Sequence, residues 1–325
     1  MTIAIRTEKL SKVYRSGFWR IPYTGLSDLD LEVPEGTSFG FIGPNGAGKT
    51  TAIKTLMSLQ KATGGRAWIH GIEVPDPESR RRVGFLPERP YFYEHLTAGE
   101  FLDFYGRLCE VPSAERGRRV ARLLERVDLD RFRDVPLGKF SKGMLQRAGL
   151  AQALVGEPDL LVLDEPMSGL DPLGRVLVRD LILEERRLGR TVFFSSHVLA
   201  DVEAICDRVA IVVSGKLRGQ GTVAELLGHT VAHVDCTFVG VAEGTDTLVP
   251  GVEGAPAPNH LVAAPGGHLT RRLDPNEVDH WIDAARRVGG TVASIVPAQR
   301  TLEQVLLDEV ERARPVDAKR LGVLA

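Results

Sequence analysis

The sequence predicts an α/β fold with a mixed sheet at its core and a helical subdomain, followed by a small α+β domain. Up to about Gly228, short apolar runs that suit buried strands alternate with segments whose apolar residues recur at helical spacing. From about Pro90 to Lys139, a segment rich in Arg and Glu interrupts this alternation and is typical of a helical insertion. After Gly228, Gly and Pro become frequent, which favours short strands, turns or a loose linker. We place the first domain at 1–228, its helical subdomain at about 90–155, the small α+β domain at 229–312 and a polar tail at 313–325.

The composition is that of a globular protein and narrows the classes of function. A chain of 325 residues exceeds the usual ~150 residues of one domain, which favours two domains. Its hydrophobic share of 43% and net charge of −2 exclude a disordered chain and give no general attraction to nucleic acid. No apolar run approaches the ~20 residues that cross a bilayer, and the N-terminus is charged too early for a signal peptide. We therefore expect a cytoplasmic protein that serves any membrane through a partner.

The cysteines and histidines show no metal-binding pattern. Cys109, Cys206 and Cys236 are odd in number and far apart, so we expect reduced thiols in a cytosolic protein. The histidines of the second domain lack the spacing of metal ligands and are expected on the solvated surface. They are His229, His233, His260, His268 and His280.

The stretch from Gly43 to Thr51 reads Gly-Pro-Asn-Gly-Ala-Gly-Lys-Thr-Thr and has the spacing of a P-loop. The apolar run Phe39–Ile42 predicts a buried strand before the loop, and the residues from Thr51 onwards predict a helix after it. Such a loop directs backbone N–H groups at a phosphate, and the helix N-terminus adds partial positive charge. Lys49 is expected to reach the β- and γ-phosphates, and the Thr50 hydroxyl to bind Mg²⁺. The expected nucleotide-binding residues are Gly43, Pro44, Asn45, Gly46, Ala47, Gly48, Lys49, Thr50 and Thr51.

Two adjacent carboxylates, Asp164 and Glu165, end a second apolar run that begins at Asp159. A buried parallel strand delivers its last residues to the carboxyl edge of the sheet, where ligands bind. In a P-loop enzyme the first acid holds the Mg²⁺ shell, and a neighbouring carboxylate polarises the water that attacks the γ-phosphate. Further strands are predicted at Thr191–His197 and Arg208–Gly215.

The stretch from Phe140 to Arg147 reads Phe-Ser-Lys-Gly-Met-Leu-Gln-Arg. Ser141 is expected to cap a helix, because apolar residues follow it at helical spacing. A serine, a glycine and free N–H groups at a helix start can bind a second phosphate. Taken alone, the stretch is also compatible with an ordinary capped helix.

Together these motifs resemble those of the ATP-binding subunits of ATP-binding cassette (ABC) transporters. In chain order they are Walker A (Gly43–Thr50), the signature (Phe140–Met144), Walker B (ending at Glu165), the D-loop (Ser168–Asp171) and the switch histidine (His197). The resemblance implies a P-loop NTPase of the cassette fold over roughly residues 3–228. It also implies that Tyr14 stacks on adenine, with Phe18, Trp19 and Tyr23 as alternatives.

The resemblance further implies a head-to-tail pair of cassettes, with each ATP between the P-loop of one chain and the signature of the other. Ser141 and the Gly143 backbone would contact the γ-phosphate across that interface, and Asp171 would couple the two sites. Catalysis would fall to Lys49, to His197 and to Glu165 as the general base. The implied cofactors are ATP and Mg²⁺. The implied partners are a second cassette, in a homodimer or a paired arrangement, and a separate transmembrane permease, with no nucleic acid.

Two features depart from the commonest pattern of the family. The signature carries Lys142 and Met144 where Gly and Gln are usual, and Glu88 stands where a glutamine usually lies beside the Mg²⁺. We expect Glu88 to bind the metal or its water. Both departures resemble the branch whose cassettes pair with ABC-2-type permeases, many of them exporters. The stretch Arg300–Val310 is similar to the C-terminal helix of that branch.

Three functions therefore remain open, and the first is our prediction. It is an ATPase subunit that drives export through a separate permease and lies at the cytoplasmic face of the inner membrane through that partner. The second is a soluble cassette acting on a non-transport machine, and the third is a regulatory cassette with weak hydrolysis, suggested by Glu88 and Lys142. Tyr91, Phe92 and Tyr93 are candidates for anchoring a permease helix, with internal packing as the alternative.

Overall fold

The computed structural model describes residues 2–16, 21–228, 231–240, 262–264, 268–287 and 290–313. The strands are β1 (Ile3–Ser16), β2 (Ile21–Leu29), β3 (Glu32–Pro34), β4 (Ser38–Ile42), β5 (Gly64–Ile69), β6 (Ile72–Glu73), β7 (Val83–Leu86), β8 (Leu160–Asp164), β9 (Thr191–Ser196), β10 (Arg208–Val213), β11 (Lys216–Thr222), β12 (Val231–Val239), β13 (Val262–Ala264), β14 (His268–Leu273) and β15 (Thr291–Gln299). The α-helices are α1 (Lys49–Leu56), α2 (Ala98–Leu108), α3 (Ser113–Arg126), α4 (Lys142–Leu154), α5 (Pro172–Arg187), α6 (Leu199–Ile205), α7 (Val223–Leu227), α8 (Val278–Arg287) and α9 (Leu302–Ala313). Two compact units result, one built on Met1–Leu226 together with the residues from Leu306 onwards, and the other on Leu227–Val305.

A six-stranded sheet forms the centre of the first unit, in the order β11-β10-β4-β9-β8-β7. Strands β7, β8, β9, β4 and β10 run parallel, and β11 closes one edge antiparallel to β10. Strands β4, β8 and β9 are buried along their whole length. Because both faces of these strands are covered, they occur in the sequence as unbroken apolar runs rather than as alternating patterns. The strands predicted for these runs are confirmed.

A second sheet in the same unit is antiparallel and was not indicated by the sequence pattern. Its order is β2-β1-β5-β6, with β3 also paired to β1. Ile5 of β1 is paired with Ile69 of β5, and both side chains are completely buried. They belong to one core cluster with Phe41 and Phe193 of the six-stranded sheet. The two sheets therefore share a single hydrophobic core, with α1 contributing Ile53 and others to it.

The helical subdomain consists of α2, α3 and α4. Helix α2 begins with a capping box, in which Thr97 and Glu100 exchange hydrogen bonds with each other's backbone N–H groups. Arg126 of α3 donates to Glu185 of α5 over 2.5 Å and to Glu184 over 2.8 Å. Glu185 is fully buried and is also paired with Arg190. A buried carboxylate is tolerated only when it is paired in this way, so these ion pairs fasten the subdomain to the α/β core.

The second unit is a small α+β structure. Its antiparallel sheet has the order β13-β14-β12-β15, and α8 packs on it through a cluster that includes Cys236, Phe238 and Ala285. The guanidinium carbon of Arg271 lies 3.8 Å from the centroid of the Trp281 ring, a cation–π contact. Helix α8 and strand β15 follow one another along the chain.

Several predicted features lie outside the described residues. They are the polar tail after residue 313, the Gly- and Pro-rich stretch 241–261, and the positions of His229, His260, Phe18 and Trp19. Among the helices that the structure does describe, none combines the length and the apolar character needed to cross a membrane.

We expect Phe193→Ala to be strongly destabilising, because the Phe193 ring lies at the centre of the core. Its centroid is 5.3 Å from that of Phe41 and 5.9 Å from that of Phe39. Removing a fully buried phenyl ring costs about 3–5 kcal/mol of unfolding free energy. Urea denaturation followed by circular dichroism measures the change. Leu188→Ala is the control, because that side chain is 62% exposed, and an equal loss in both variants would contradict the assignment of the core.

Candidate nucleotide-binding and hydrolysis site

Three neighbouring strands end at the same edge of the six-stranded sheet. In the parallel register Ile42 of β4 lies beside Ser196 of β9, and Asp164 of β8 lies beside Ser195 of β9. The P-loop follows β4, Glu165 follows β8 and His197 follows β9. Chain segments that leave parallel strands at their carboxyl ends meet there. Sheet order thus gathers the three motifs into one site.

The P-loop has the backbone that its glycines predict. Gly46 and Gly48 have φ angles of +79° and +105°, in the region that favours glycine. A β-carbon built at Gly43 would lie 2.1 Å from the carbonyl oxygen of Val212, so only glycine fits there. The loop leads directly into α1, whose first residue is Lys49. Its early N–H groups have no intrahelical acceptors and favour an anion.

Lys49 is buried and held by the loop itself. Its Nζ donates to the carbonyl oxygen of Gly43 over 2.7 Å and lies 3.7 Å from Glu165 Oε1. The Lys49 side chain is 7% exposed and the Glu165 side chain 13% exposed. The structure therefore brings the predicted phosphate-binding cation and the predicted general base into one ion pair.

Asp164 accepts hydrogen bonds from two hydroxyl groups. Ser195 Oγ donates to Asp164 Oδ1 over 2.7 Å, and Thr50 Oγ1 donates to the same oxygen over 3.3 Å. Burial raises the pKa of the Asp164 carboxyl, while these two hydrogen bonds lower it and the charges of Glu88 and Glu165 raise it further. A buried carboxylate pushed towards its neutral form gains from a nearby cation, so the site favours a metal ion.

Glu165 has an uncommon backbone for a residue other than glycine, with φ at +53°. Its N–H donates to Ser195 Oγ over 2.9 Å. His197 Nδ1 lies 2.7 Å from Glu165 Oε2, while the His197 side chain is 51% exposed. The carboxylate is thus held between Lys49 and a histidine that reaches solvent.

The signature and the D-loop form a second group. Ser141 caps α4, as predicted, by accepting a hydrogen bond from the N–H of Met144 over 3.2 Å. Asp171 caps α5 by accepting from the N–H of Gly174 over 2.8 Å. Gly143 lies beside the D-loop, because a β-carbon built on it would be 3.5 Å from Leu170 Cδ2. Ser141 and Asp171 are exposed, so their surfaces are open to a partner.

The donor set at the strand ends suits Mg²⁺ better than a softer metal. Thr50 and Asp164 present oxygen atoms, and the exposed Glu88 follows β7 close enough for its charge to raise the pKa of Asp164. Mg²⁺ prefers oxygen ligands and usually takes one or two carboxylates together with substrate phosphates. Among the described residues, no group of three or more His, Cys, Asp or Glu side chains forms a closed metal site.

Tyr14 lies beside the P-loop as one ring of a stacked pair. It is paired with Tyr23 across β1 and β2, and the ring centroids are 4.8 Å apart with 12° between the planes. The Tyr14 hydroxyl donates to Gln60 Oε1 over 2.7 Å and lies 3.2 Å from Thr51 Oγ1. Tyr23 is 55% exposed. Tyr14 is the ring nearer α1, and Tyr23 is open to solvent.

Two residues of the site were missed in the sequence. Ser195 bonds both Asp164 and the backbone of Glu165, and Gln146 of α4 donates to the carbonyl oxygen of Pro166 over 3.1 Å. The position of Ser195 at the end of a buried strand is a signal that could have indicated it. For Gln146 the signal is weaker, because glutamine is common in helices and its burial depends on how α4 is placed.

Comparison with known proteins places these features in a family. A model of the ABC transporter family matches residues 26–168. An uncharacterized ABC transporter ATP-binding protein of Synechocystis sp. is 48% identical over 69% of this chain, and the match covers 64% of that relative, a little under two thirds of its length. Another from Nostoc sp. is 38% identical over 95% of this chain and 90% of its own length. The bacitracin transport ATP-binding protein BcrA of Bacillus licheniformis is 39% identical over 67% of this chain and 69% of its own.

Solved structures confirm the predicted cassette fold. An ATP-binding subunit of an ABC transporter superposes with a TM-score of 0.61 at 32% identity, over 69% of this chain and 91% of that chain. The dimeric post-hydrolysis state of the ATP-binding cassette MJ0796 bound to ADP and Pi superposes with a TM-score of 0.63, over 68% of this chain and 99% of that chain. Its identity is 23%, so this second likeness concerns the fold alone.

We expect Gly43→Ala to abolish nucleotide binding and to destabilise the first unit. The added methyl group would meet the main chain at Val212, which cannot rotate away, so the loop must shift at a cost of about 1–3 kcal/mol. Binding of a fluorescent ATP analogue and thermal melting measure the two effects. Gly117→Ala is the matched control, since a β-carbon there meets nothing within 4 Å and alanine suits a helix interior. Normal ATP binding by Gly43→Ala would contradict the loop geometry.

Proposed function

Since the chain belongs to the ABC transporter ATP-binding proteins and is an ATPase of that family, we propose that it powers export through a separate membrane permease. ATP would close two cassettes head to tail, and hydrolysis would reopen them. The observation that carries this proposal is the convergence of Lys49, Glu165 and His197 at the ends of adjacent parallel strands. We assign the catalytic cassette to 1–228 and an accessory domain to 229–312. The start of the second compact unit at Leu227 supports the first boundary, whereas that unit ends at Val305 and the residues from Leu306 group with the first unit.

The resting contacts suggest how ATP would engage the site. The Lys49 ammonium now bonds a loop carbonyl and Glu165, and it would exchange these for the β- and γ-phosphates. Glu165 would then be released from the cation and remain bonded to His197. An ammonium that moves from carboxylate to phosphate keeps its charge paired throughout.

Hydrolysis would follow as an in-line displacement at the γ-phosphorus. A water oxygen attacks, its proton passes to the Glu165 carboxylate, and the bond to the β,γ-bridging oxygen breaks with its electron pair leaving on ADP. His197, at 2.7 Å from Glu165, would hold the base and face the γ-phosphate. Mg²⁺, held by Thr50 and Asp164 with Glu88 nearby, would neutralise phosphate charge when bound.

A dimer would explain why one chain carries two phosphate-binding elements. Ser141 and Gly143 belong to the group around the D-loop, whereas Lys49 and Glu165 belong to the group around the P-loop. In the single chain Ser141 caps α4 by accepting from the N–H of Met144, and its surface is exposed. Pairing of the signature with the P-loop of a second copy would use both elements on one ATP, with Asp171 near the junction. The dimeric MJ0796 cassette of the same fold gives a precedent.

An exposed aromatic surface on the helical subdomain supports a permease partner. Tyr91 is 83% exposed, Tyr93 41% and Phe104 37%, and the rings of Tyr93 and Phe104 meet edge to face. Phe92 instead packs against Phe101 inside the subdomain. Exposed clustered aromatics are typical anchors for a partner. We place the protein at the cytoplasmic face of the membrane through this contact, and the similarity to a bacitracin transport protein favours export.

The decisive variants of the site are Glu165→Gln and Lys49→Ala. We expect Glu165→Gln to bind ATP but to hydrolyse it at least about a hundredfold more slowly, because the general base is lost. It should therefore accumulate as a dimer with ATP and Mg²⁺. Lys49→Ala should neither bind ATP nor dimerise. Steady-state phosphate release and light scattering measure these effects.

The ATPase rate of the wild type distinguishes a cassette that powers transport from a regulatory cassette. Equal, background-level ATPase rates in the wild type and Glu165→Gln would favour a regulatory cassette with weak hydrolysis. A Glu165→Gln variant that stays monomeric at saturating ATP and Mg²⁺, with and without the copurified permease, would contradict the sandwich.

We expect Tyr91→Ala combined with Tyr93→Ala to weaken assembly with the permease at least about tenfold, because two exposed aromatic anchors are removed. The intrinsic ATPase rate of the isolated chain should stay within about twofold, since the ring contacts of Tyr91 and Tyr93 are with each other, His95 and Phe104. Affinity capture from gently solubilised membranes with mass spectrometry measures the assembly. Leu188→Ala serves as the control for loss of an exposed apolar side chain. Unchanged recovery of the permease would remove this surface from the interface.

A further inference from the structure

Gln146 is a buried polar side chain that joins the signature helix to the catalytic segment of the same chain. It is 5% exposed and lies in the second turn of α4. Its Nε2 donates to the carbonyl oxygen of Pro166 over 3.1 Å and, at a longer 3.4 Å, to that of Glu165. A buried amide donor left without acceptors would be costly. The position of α4 and the backbone after Glu165 are therefore tied together.

The backbone of Glu165 needs such support on both sides. A glutamate with φ near +53° lies in a sparsely populated backbone region and stays there only when the surrounding structure holds it. On one side, the N–H of Glu165 donates to Ser195 Oγ. On the other side, the carbonyl oxygen of Glu165 accepts from the N–H of Ser168 over 3.1 Å and from Gln146 Nε2. The direction of the Glu165 carboxylate thus depends on a contact from α4.

We propose that Gln146 is a positioning residue for Glu165 and links the catalytic base to the signature helix of its own chain. The inference rests on the proposed function of the strand-end site. In a head-to-tail pair, the signature of a chain faces the partner's ATP while its Glu165 faces its own ATP. Through Gln146, the position of Glu165 at the chain's own ATP then depends on the signature helix, which contacts the partner's ATP.

Two neighbouring contacts join the same segments. A β-carbon built at Gly169 would lie 2.6 Å from Cε and 2.8 Å from Nζ of Lys142, so the Lys142 stem lies directly against the D-loop. A β-carbon built at Gly143 would lie 3.5 Å from Leu170 Cδ2, so this glycine also lies close to the D-loop. The first turn and a half of α4 therefore follows the chain from Glu165 to Leu170. These elements are expected to move as one body.

The experiment compares the ATP dependence of hydrolysis in the full chain, as wild type, Gln146→Met and Gln152→Met. Methionine keeps the length of the side chain and removes the donor. We expect kcat of Gln146→Met to fall about ten- to hundredfold, the effect of a misplaced catalytic group, while KM for ATP stays within about twofold. Gln152→Met, on the same helix and half-buried, should match the wild type.

A second measurement separates positioning from a loss of structure. In the Glu165→Gln background, Gln146→Met should still form the ATP-dependent dimer, because Lys49, Ser141 and Gly143 are unchanged. If Gln146→Met does not fold, Gln146→Asn, which keeps the amide but falls short of both carbonyls, carries the same expectations.

Three outcomes would overturn the inference. They are a kcat for Gln146→Met within about twofold of the wild type, an equal fall in Gln152→Met, and a rise in KM or loss of the dimer that accounts for the whole defect. A wild type without ATPase activity would instead contradict the proposed function itself. The two failures are therefore distinguishable.

Discussion

The parallel pairing of β4, β9 and β8 is the constraint on which the rest of the site depends. These strands are buried on both faces, and their register places Ile42 beside Ser196 and Asp164 beside Ser195. A shift by one residue would turn every side chain to the opposite face and separate the hydroxyl from the carboxylate. The sheet thereby sets the distance between the P-loop, the two acids and the histidine before any ligand is present.

The charged side chains of the site, Asp164, Lys49 and Glu165, are largely buried, and their charges are only partly balanced by hydrogen bonds and ion pairs. Burial raises the pKa of Asp164 despite two hydroxyl donors, and Lys49 divides its bonds between a loop carbonyl and Glu165. A polyphosphate would satisfy the lysine and the loop N–H groups, and a divalent cation would satisfy the aspartate. This complementarity explains why nucleotide and metal are expected to bind together.

The helical subdomain carries α4, whose capped start at Ser141 is the second phosphate-binding element that we propose. Arg126 of α3 is paired with the buried Glu185 of α5, and Gln146 joins the signature helix to the chain that follows Glu165. The first contact fastens the subdomain to the core, and the second reaches the backbone of the residue that we propose as the general base. The arrangement suits a protein whose two ATP sites are built from two chains.

The sequence by itself determined the local parts of this protein. Three local features are examples: the glycines of the P-loop, the apolar run before Asp164 and the cap at Ser141. Each is specified by a few neighbouring residues, and each has the predicted backbone conformation in the structure. The likeness of the motifs to those of a known family gave the roles that we expect of them, because their order along the chain is specific.

Only the tertiary structure decided which side chains support these motifs. Ser195 meets Asp164 because β9 pairs with β8, and Gln146 reaches Pro166 because α4 is placed against that segment. The antiparallel sheet of β1 and β5, the inward packing of Phe92 and the stacking of Tyr14 on Tyr23 likewise depend on distant strands and helices. The physical reason is that a hydrogen bond or ring contact between residues far apart in the chain is set by packing, which local pattern does not specify.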